Sequence, residues 1–281
     1  MLNLLYTILT LSMLGALAAV VLFYVVQRFN VEEDSRIDDV EKILPGANCG
    51  GCGFAGCRGF AVATVEQDDI SALNCPVGGS EVMSAVAEYL GKVSAEVMPM
   101  TATLRCGGCR AKRPTTNIYD GAKSCSVLSS LYIGESGCAA GCLGLGDCAV
   151  SCNFGAIYIN EESGLAEIDA ELCVACGACV TACPKSLIEL RKRWPKNRSI
   201  YVACSSTEKG AKVMKACKAG CIGCSKCVKA CPFNAISIEN NLAYIDHMTC
   251  KLCRKCVAEC PTKAIAMVSF APPVAQQQNE A

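Results

Sequence analysis

The sequence runs to 281 residues with 26 basic and 26 acidic side chains, 25 cysteines and one histidine, His247. A chain of zero net charge argues against nucleic acid as the main partner, and with one histidine any metal site must be built from sulfur. So many thiols mean either disulfides in an oxidising compartment or thiolate-bound metal in a reducing one.

The first 26 residues, MLNLLYTILTLSMLGALAAVVLFYVV, carry no charge. At about 1.5 Å per residue such a helix crosses a hydrocarbon core about 30 Å thick. Ala16–Ala18 (ALA) resembles a cleavage site, but no basic residue precedes the apolar run, which continues beyond it. Residues 1–26 are therefore predicted to be an uncleaved, single-pass anchor in the cytoplasmic membrane. Arg28, the first flanking charge, puts the rest on the cytoplasmic side, where thiols stay reduced.

Residues 27–91 form the next predicted unit. Ile37, Val40 and Leu44 recur at helical spacing until Pro45 and Gly46 end the helix. Then come Cys49, Cys52, Cys57 and Cys75, spaced C-x2-C-x4-C-x17-C among glycines, with helices predicted over 58–67 and 81–92. Residues 92–137 read as a looser connecting region bearing Cys106, Cys109 and Cys125. The proline- and glutamine-rich tail, 269–281, is predicted to be disordered.

Between connecting region and tail lies a tandem repeat, 138–192 and 217–268, joined by a connector at 193–216. Cys138, Cys142, Cys148 and Cys152 fall on Cys217, Cys221, Cys227 and Cys231 at an offset of 79 residues, which Cys125 and Cys204 also keep. Cys173 falls on Cys250 at an offset of 77, and the length change sits where a hairpin turn tolerates it.

Three of the four cysteine blocks read C-x2-C-x2-C-x3-C-P: Cys173, Cys176, Cys179 and Cys183; Cys221, Cys224, Cys227 and Cys231; Cys250, Cys253, Cys256 and Cys260. In such a block three thiolates wrap one cubane iron-sulfur core and the fourth reaches the other cluster of a pair. Proline then leads the chain out into a strand, and strand-like runs do follow: AIYI, LIEL, AISI and AIAM. Zinc is the competing metal, but its frameworks usually separate two hooks by about a dozen residues or more.

Residues 138–265 resemble two bacterial two-cluster ferredoxins in series. The first block departs from the pattern, with Leu145 where the second copy has Cys224 and Asn153 in place of proline. On that resemblance Cys138 rescues the missing thiolate. The ligand sets are then Cys138, Cys142, Cys148 with Cys183, and Cys173, Cys176, Cys179 with Cys152. In the second copy they are Cys221, Cys224, Cys227 with Cys260, and Cys250, Cys253, Cys256 with Cys231, leaving Cys217 surplus. The Cys49, Cys52, Cys57 and Cys75 block resembles the small helical iron-sulfur domain found beside ferredoxin modules. For Cys106, Cys109 and Cys125 two readings stand: a further cluster completed by Cys204 or Cys217, or ordinary buried thiols.

From end to end the chain resembles the B subunit of the Rnf complex, the ion-translocating ferredoxin:NAD oxidoreductase, most specifically in GANCGGCGFAGC and GCLGLGDCAVSC. The resemblance implies an α+β architecture: a transmembrane helix, a small helical 4Fe-4S domain, then tandem bacterial-ferredoxin-like modules. It implies five 4Fe-4S clusters, or six if the connecting cysteines take part. The implied function is an electron-transfer subunit of a translocase, with no complete active site of its own. Electrons would come from reduced ferredoxin and pass to flavin- and iron-sulfur-containing membrane subunits, toward NAD reduction coupled to Na+ or H+ export. The anchor would contact lipid, and no nucleic acid is implied. The alternatives are a polyferredoxin subunit of another membrane oxidoreductase and a tethered zinc scaffold. The basic run RKRWPKNR (191–198) reads as a docking patch for an acidic redox partner or as a solvated linker, and His247 as a strand-end residue.

Overall fold

The computed structural model describes residues 2–28, 34–94 and 98–269; the predicted disordered tail lies almost wholly outside them. Helix α1 (Leu2–Arg28) contains an apolar span, Leu5–Val25, of mean hydropathy 2.4, none of it buried against the rest of the chain. With no polar face to turn toward water, this helix matches a membrane and not a soluble core.

Helices α2 (Ser35–Ile43), α3 (Gly56–Glu66) and α4 (Gly79–Leu90) make a small helical unit. Asp34 caps α2 by accepting from the Arg36 N–H, and Gly91 ends α4 in the left-handed region that a side chain would resist. Ile37, Val40 and Leu44 pack on Phe60, Val65, Met83 and Val86, so the predicted stalk helix is part of this core.

Beyond it the fold is built from antiparallel strand pairs. Strands β2 (Ile157–Asn160) and β3 (Leu165–Ile168) form one hairpin, and β6 (Ile236–Glu239) and β7 (Leu242–Ile245) its counterpart. Strand β4 (Ile188–Lys192) pairs with β1 (Met100–Leu104), Leu104 facing Ile188; β8 (Ile265–Val268) pairs with β5 (Ser199–Val202), Val202 facing Ile265. The segments read from sequence as connectors thus supply an edge strand to each module.

Short helices carry the cysteine blocks: α5 (Cys125–Leu131), α6 (Asp147–Val150), α7 (Ala178–Ala182), α9 (Lys226–Ala230) and α10 (Lys255–Glu259), with α8 (Gly210–Ala216) preceding Cys217. Residues Gly146, Gly177, Ser225 and Arg254, each two before a buried cysteine, all have positive φ. This turn reverses the backbone and aims the following thiol inward; glycine takes it freely, whereas Ser225 and Arg254 adopt it under strain.

The two modules meet at Arg191, which is 2 % exposed. Its guanidinium pairs with Glu189, donates to the Ile245 carbonyl, and lies over Tyr244 (5.6 Å) and Tyr201 (6.0 Å). Arg105 stacks on the same Tyr244 ring at 5.2 Å, and the Lys192 N–H donates to His247 Nδ1 at 3.2 Å. The first residue of the basic run is therefore an interior clamp between modules, and His247 is a joint residue.

Candidate iron-sulfur sites

Three hollows are lined by the cysteine sets expected from sequence. Cys49, Cys52, Cys57 and Cys75 line one in the helical unit. Asn48 closes its loop by accepting from the Cys57 N–H at 2.7 Å, and the Gly78 N–H donates to Cys75 Sγ at 3.4 Å. In the second module Cys221, Cys224, Cys227 and Cys260 line one hollow, and Cys231, Cys250, Cys253 and Cys256 another. Cys152, Cys173, Cys176 and Cys179 also come together: burial, then the neighbouring Cys173, Cys176 and Cys152, push the Cys179 thiol up to about 11.

The remaining site differs from the expectation. Its hollow is lined by Cys125, Cys142, Cys148 and Cys183, not by Cys138. Burial, then Cys142, Cys125 and Cys183, push Cys148 up to about 12. The reason Cys125 reaches this place is Asp147 of the GLGDC stretch. Its carboxylate accepts from the N–H groups of Cys125 (2.8 Å) and Ser126 (2.9 Å) and from the Ser124 hydroxyl (3.1 Å), tying the start of α5 to the start of α6. Burial alone would raise the Asp147 pKa, but those backbone and side-chain bonds outweigh it and hold the carboxyl below its usual value. Cys138 lies elsewhere, beside Cys106 and Cys217.

Chain order explains why the sequence concealed this. The shared 79-residue offset equates Cys125 with Cys204, but strand register equates Cys204 with Cys106, each two residues after the strand end that faces Ile265 or Ile188. The Cys106 sulfur accepts the backbone N–H of Cys142 at 3.4 Å, and Cys204 lies beside the equivalent Cys221. The legible signal was the incomplete first block itself: a set lacking its second thiolate needs one from outside, and Cys125 opens a capped helix.

Each set supplies the four thiolates that a cubane cluster takes. Among the described residues no group of three His, Cys, Asp or Glu side chains is placed to hold a single metal ion. Backbone N–H groups aim at sulfur throughout: Ala102 to Cys173, Leu187 to Cys183, Leu252 to Cys250 and Ala264 to Cys260, at 3.3–3.5 Å. Such bonds favour the thiolate and tune a bound cluster. Iron must displace the protons that burial holds on these thiols, Cys256 also being pushed up to about 12.

Sites adjoin from the helical unit into the first module, and within each module. Gly51 packs so tightly on the first module that a Cβ there would lie 2.6 Å from the Cys176 carbonyl oxygen. This brings Cys49 of the helical unit beside Cys176. Cys179 neighbours Cys148 within the first module, and Cys227 neighbours Cys256 within the second.

Three family models match: a putative Fe-S cluster at 44–77, a 4Fe-4S dicluster domain at both 137–187 and 220–264, and a 4Fe-4S double cluster binding domain at 172–234. The B subunit of the Na(+)-translocating ferredoxin:NAD(+) oxidoreductase complex of Acetobacterium woodii is 40 % identical over 86 % of this chain and 71 % of its own length. The B subunit of the proton-translocating counterpart from Clostridium ljungdahlii is 40 % identical over 85 % of this chain and 83 % of its own. That of the ion-translocating oxidoreductase complex of Methanosarcina acetivorans is 40 % identical over 87 % and 90 %. The chain belongs to this B-subunit family. Its ferredoxin-type domains hold 4Fe-4S clusters, and it is an electron-transfer subunit of a multi-subunit ion-translocating oxidoreductase complex. Membership in this family sets aside the zinc scaffold and the unrelated polyferredoxin.

Proposed function

We propose that this chain takes electrons from reduced ferredoxin on the cytoplasmic side of the membrane and delivers them to partner subunits that reduce NAD while exporting Na+ or H+. The clusters supply one-electron carriage at low potential. The chain's own residues hold the sites in sequence and select which end meets the donor. The ligand sets are those lining the sites above, Cys125 included.

The observation that carries this reading is a charge asymmetry. Residues 217–268 carry seven basic and three acidic side chains, whereas 138–192 carry three basic and seven acidic. Around the exposed Cys224 and Cys253, the side chains of Lys226, Lys229, Lys251 and Lys255 are exposed, beside the exposed ring of Phe233. An acidic carrier such as ferredoxin is steered to this end. The other end of the series, the helical unit, stands next to the anchor in sequence and so next to the membrane partners. Leu5–Val25 contains no charged side chain, which leaves the ion path to other subunits. Helix α1 anchors the chain in lipid, with Arg28 on the cytoplasmic side.

The test is rapid mixing of the full-length, cluster-loaded chain with reduced ferredoxin. The paired reversal Lys226→Glu, Lys229→Glu is expected to slow cluster reduction about tenfold at low salt, with dithionite reduction unchanged. A rate indifferent to both salt and reversal would overturn the docking assignment.

A further inference from the structure

Five cysteines remain outside those sets, and four of them gather between the two modules: Cys106 and Cys109, from one C-x2-C hook, and Cys138 and Cys217, equivalent positions of the two repeats; the fifth is Cys204. They converge. A Cβ added at Gly108, inside the hook, would lie 3.1 Å from Cys217 Sγ and 3.8 Å from Cys106 Sγ, so those sulfurs are no further apart than the two distances together. Residues 137 and 216, which precede the repeat pair, also adjoin: a Cβ at Gly137 would be 3.9 Å from Ala216 Cβ. Backbone bonds clamp the hook to the second module, Gly107 N–H to the Ala203 carbonyl and Lys218 N–H to the Lys112 carbonyl, both 2.8 Å. Cys138 and Cys217 neighbour one another and Cys106, and Cys109 neighbours Cys217.

The surroundings suit an anionic guest. Arg113 donates to the Cys142 carbonyl from beside the thiols, reaching there because Gly141 has no side chain: a Cβ would stand 2.8 Å from its Nη1. Lys185 comes from the first module, donating to the Ile133 carbonyl at 2.6 Å with Cys138, Cys142 and Cys106 as its charge neighbours. Four thiolates, two glycines that clear space and two cations make a built site.

We propose that Cys106, Cys109, Cys138 and Cys217 hold a further 4Fe-4S cluster that bridges the two ferredoxin modules. The inference rests on the iron-sulfur reading above and supplies its missing link. Cys106 adjoins Cys142 of the first module, while Cys138 neighbours Cys204, which lies beside Cys221 of the second. The site takes one electron from the second module and gives one to the first, with no covalent bond made or broken. Cys204 is assigned no cluster: Cys106, Cys109, Cys138 and Cys217 supply the four thiolates of the bridge, and Cys221, Cys224, Cys227 and Cys260 line the adjoining site.

The test uses the full-length chain, purified anaerobically in detergent, with iron, acid-labile sulfide and paramagnetic spectra measured per chain. Wild type is expected to hold about twenty-four irons, six sets of four. The double variant Cys109→Ser, Cys217→Ser is expected to hold about twenty, with the other five reduced-cluster signals unchanged, while Cys204→Ala keeps about twenty-four. After mixing with reduced ferredoxin, the double variant should reduce its second module at the wild-type rate and its first at least tenfold more slowly. About twenty irons in both wild type and double variant would overturn the bridge while leaving the five-cluster chain standing. A loss in Cys204→Ala as large as in the double variant would overturn the ligand assignment. Zinc, or no metal, in wild type would instead overturn the iron-sulfur reading beneath it.

Discussion

Asp147→Ala tests how the first ferredoxin-type site is assembled. The carboxylate accepts three bonds from the start of α5, at 2.8, 2.9 and 3.1 Å. Hydrogen bonds to a charged group contribute about 1.5–3 kcal/mol each, but partial exposure lets water replace part of the loss, so about 3 kcal/mol in all is a fair sum. That corresponds to roughly a hundredfold shift in the balance between docked and undocked Cys125. The Ser124 cap on Val127 N–H (3.4 Å) survives, so α5 itself should persist. A cubane whose fourth thiolate is absent sheds one iron on mild oxidation. Anaerobic protein given a brief oxidant pulse should therefore convert one cluster to the three-iron form about a hundredfold faster in the variant, read by its paramagnetic signal. Asp147→Asn, which keeps one oxygen, should fall between. Conversion at the wild-type rate in Asp147→Ala, while Cys125→Ala converts outright, would refute the tether.

Three further outcomes follow from the geometry. Cys125→Ala should disturb the Cys142, Cys148 and Cys183 site, whereas Cys138→Ala should leave that site intact; identical losses in the two variants, seen by iron count and cluster spectra, would contradict the separation. Arg191→Ala strips a buried cation from Glu189 and the Ile245 carbonyl; a cost of about 3 kcal/mol at the module joint should speed limited proteolysis within 193–198, and an unchanged cleavage rate would count against the clamp. Ser225→Gly relieves a φ of +60°; after glycine's own entropy cost it should stabilise the second module by up to about 1 kcal/mol, raising the temperature at which its clusters bleach, and a lower temperature would contradict the strain.

Much of this molecule was legible in its sequence because cysteine spacing is a metal geometry written in one dimension. The strand-like runs after each block became β2, β4, β6 and β8, and the stalk spacing of Ile37, Val40 and Leu44 became a buried face. What stayed hidden depended on contacts between distant segments. Strands β1 and β5 are short pieces whose partners lie far along the chain: Leu104 pairs with Ile188 and Val202 with Ile265. Cys125 was obscured by the same repeat that revealed the modules, since equal offset is not equal position once edge strands enter from different places. Arg191 looked like part of a solvated basic run because the residues that follow it, through Arg198, give no hint that one member points into a joint.

The order in which the sites fill with electrons is the most direct test of the proposed route. Full-length protein, mixed with reduced ferredoxin and freeze-quenched at successive times, should show the second module's clusters reduced first and the Cys49, Cys52, Cys57 and Cys75 cluster last, each signal assigned from its own cysteine variant. Reduction of that helical-unit cluster ahead of the second module would contradict the proposed direction.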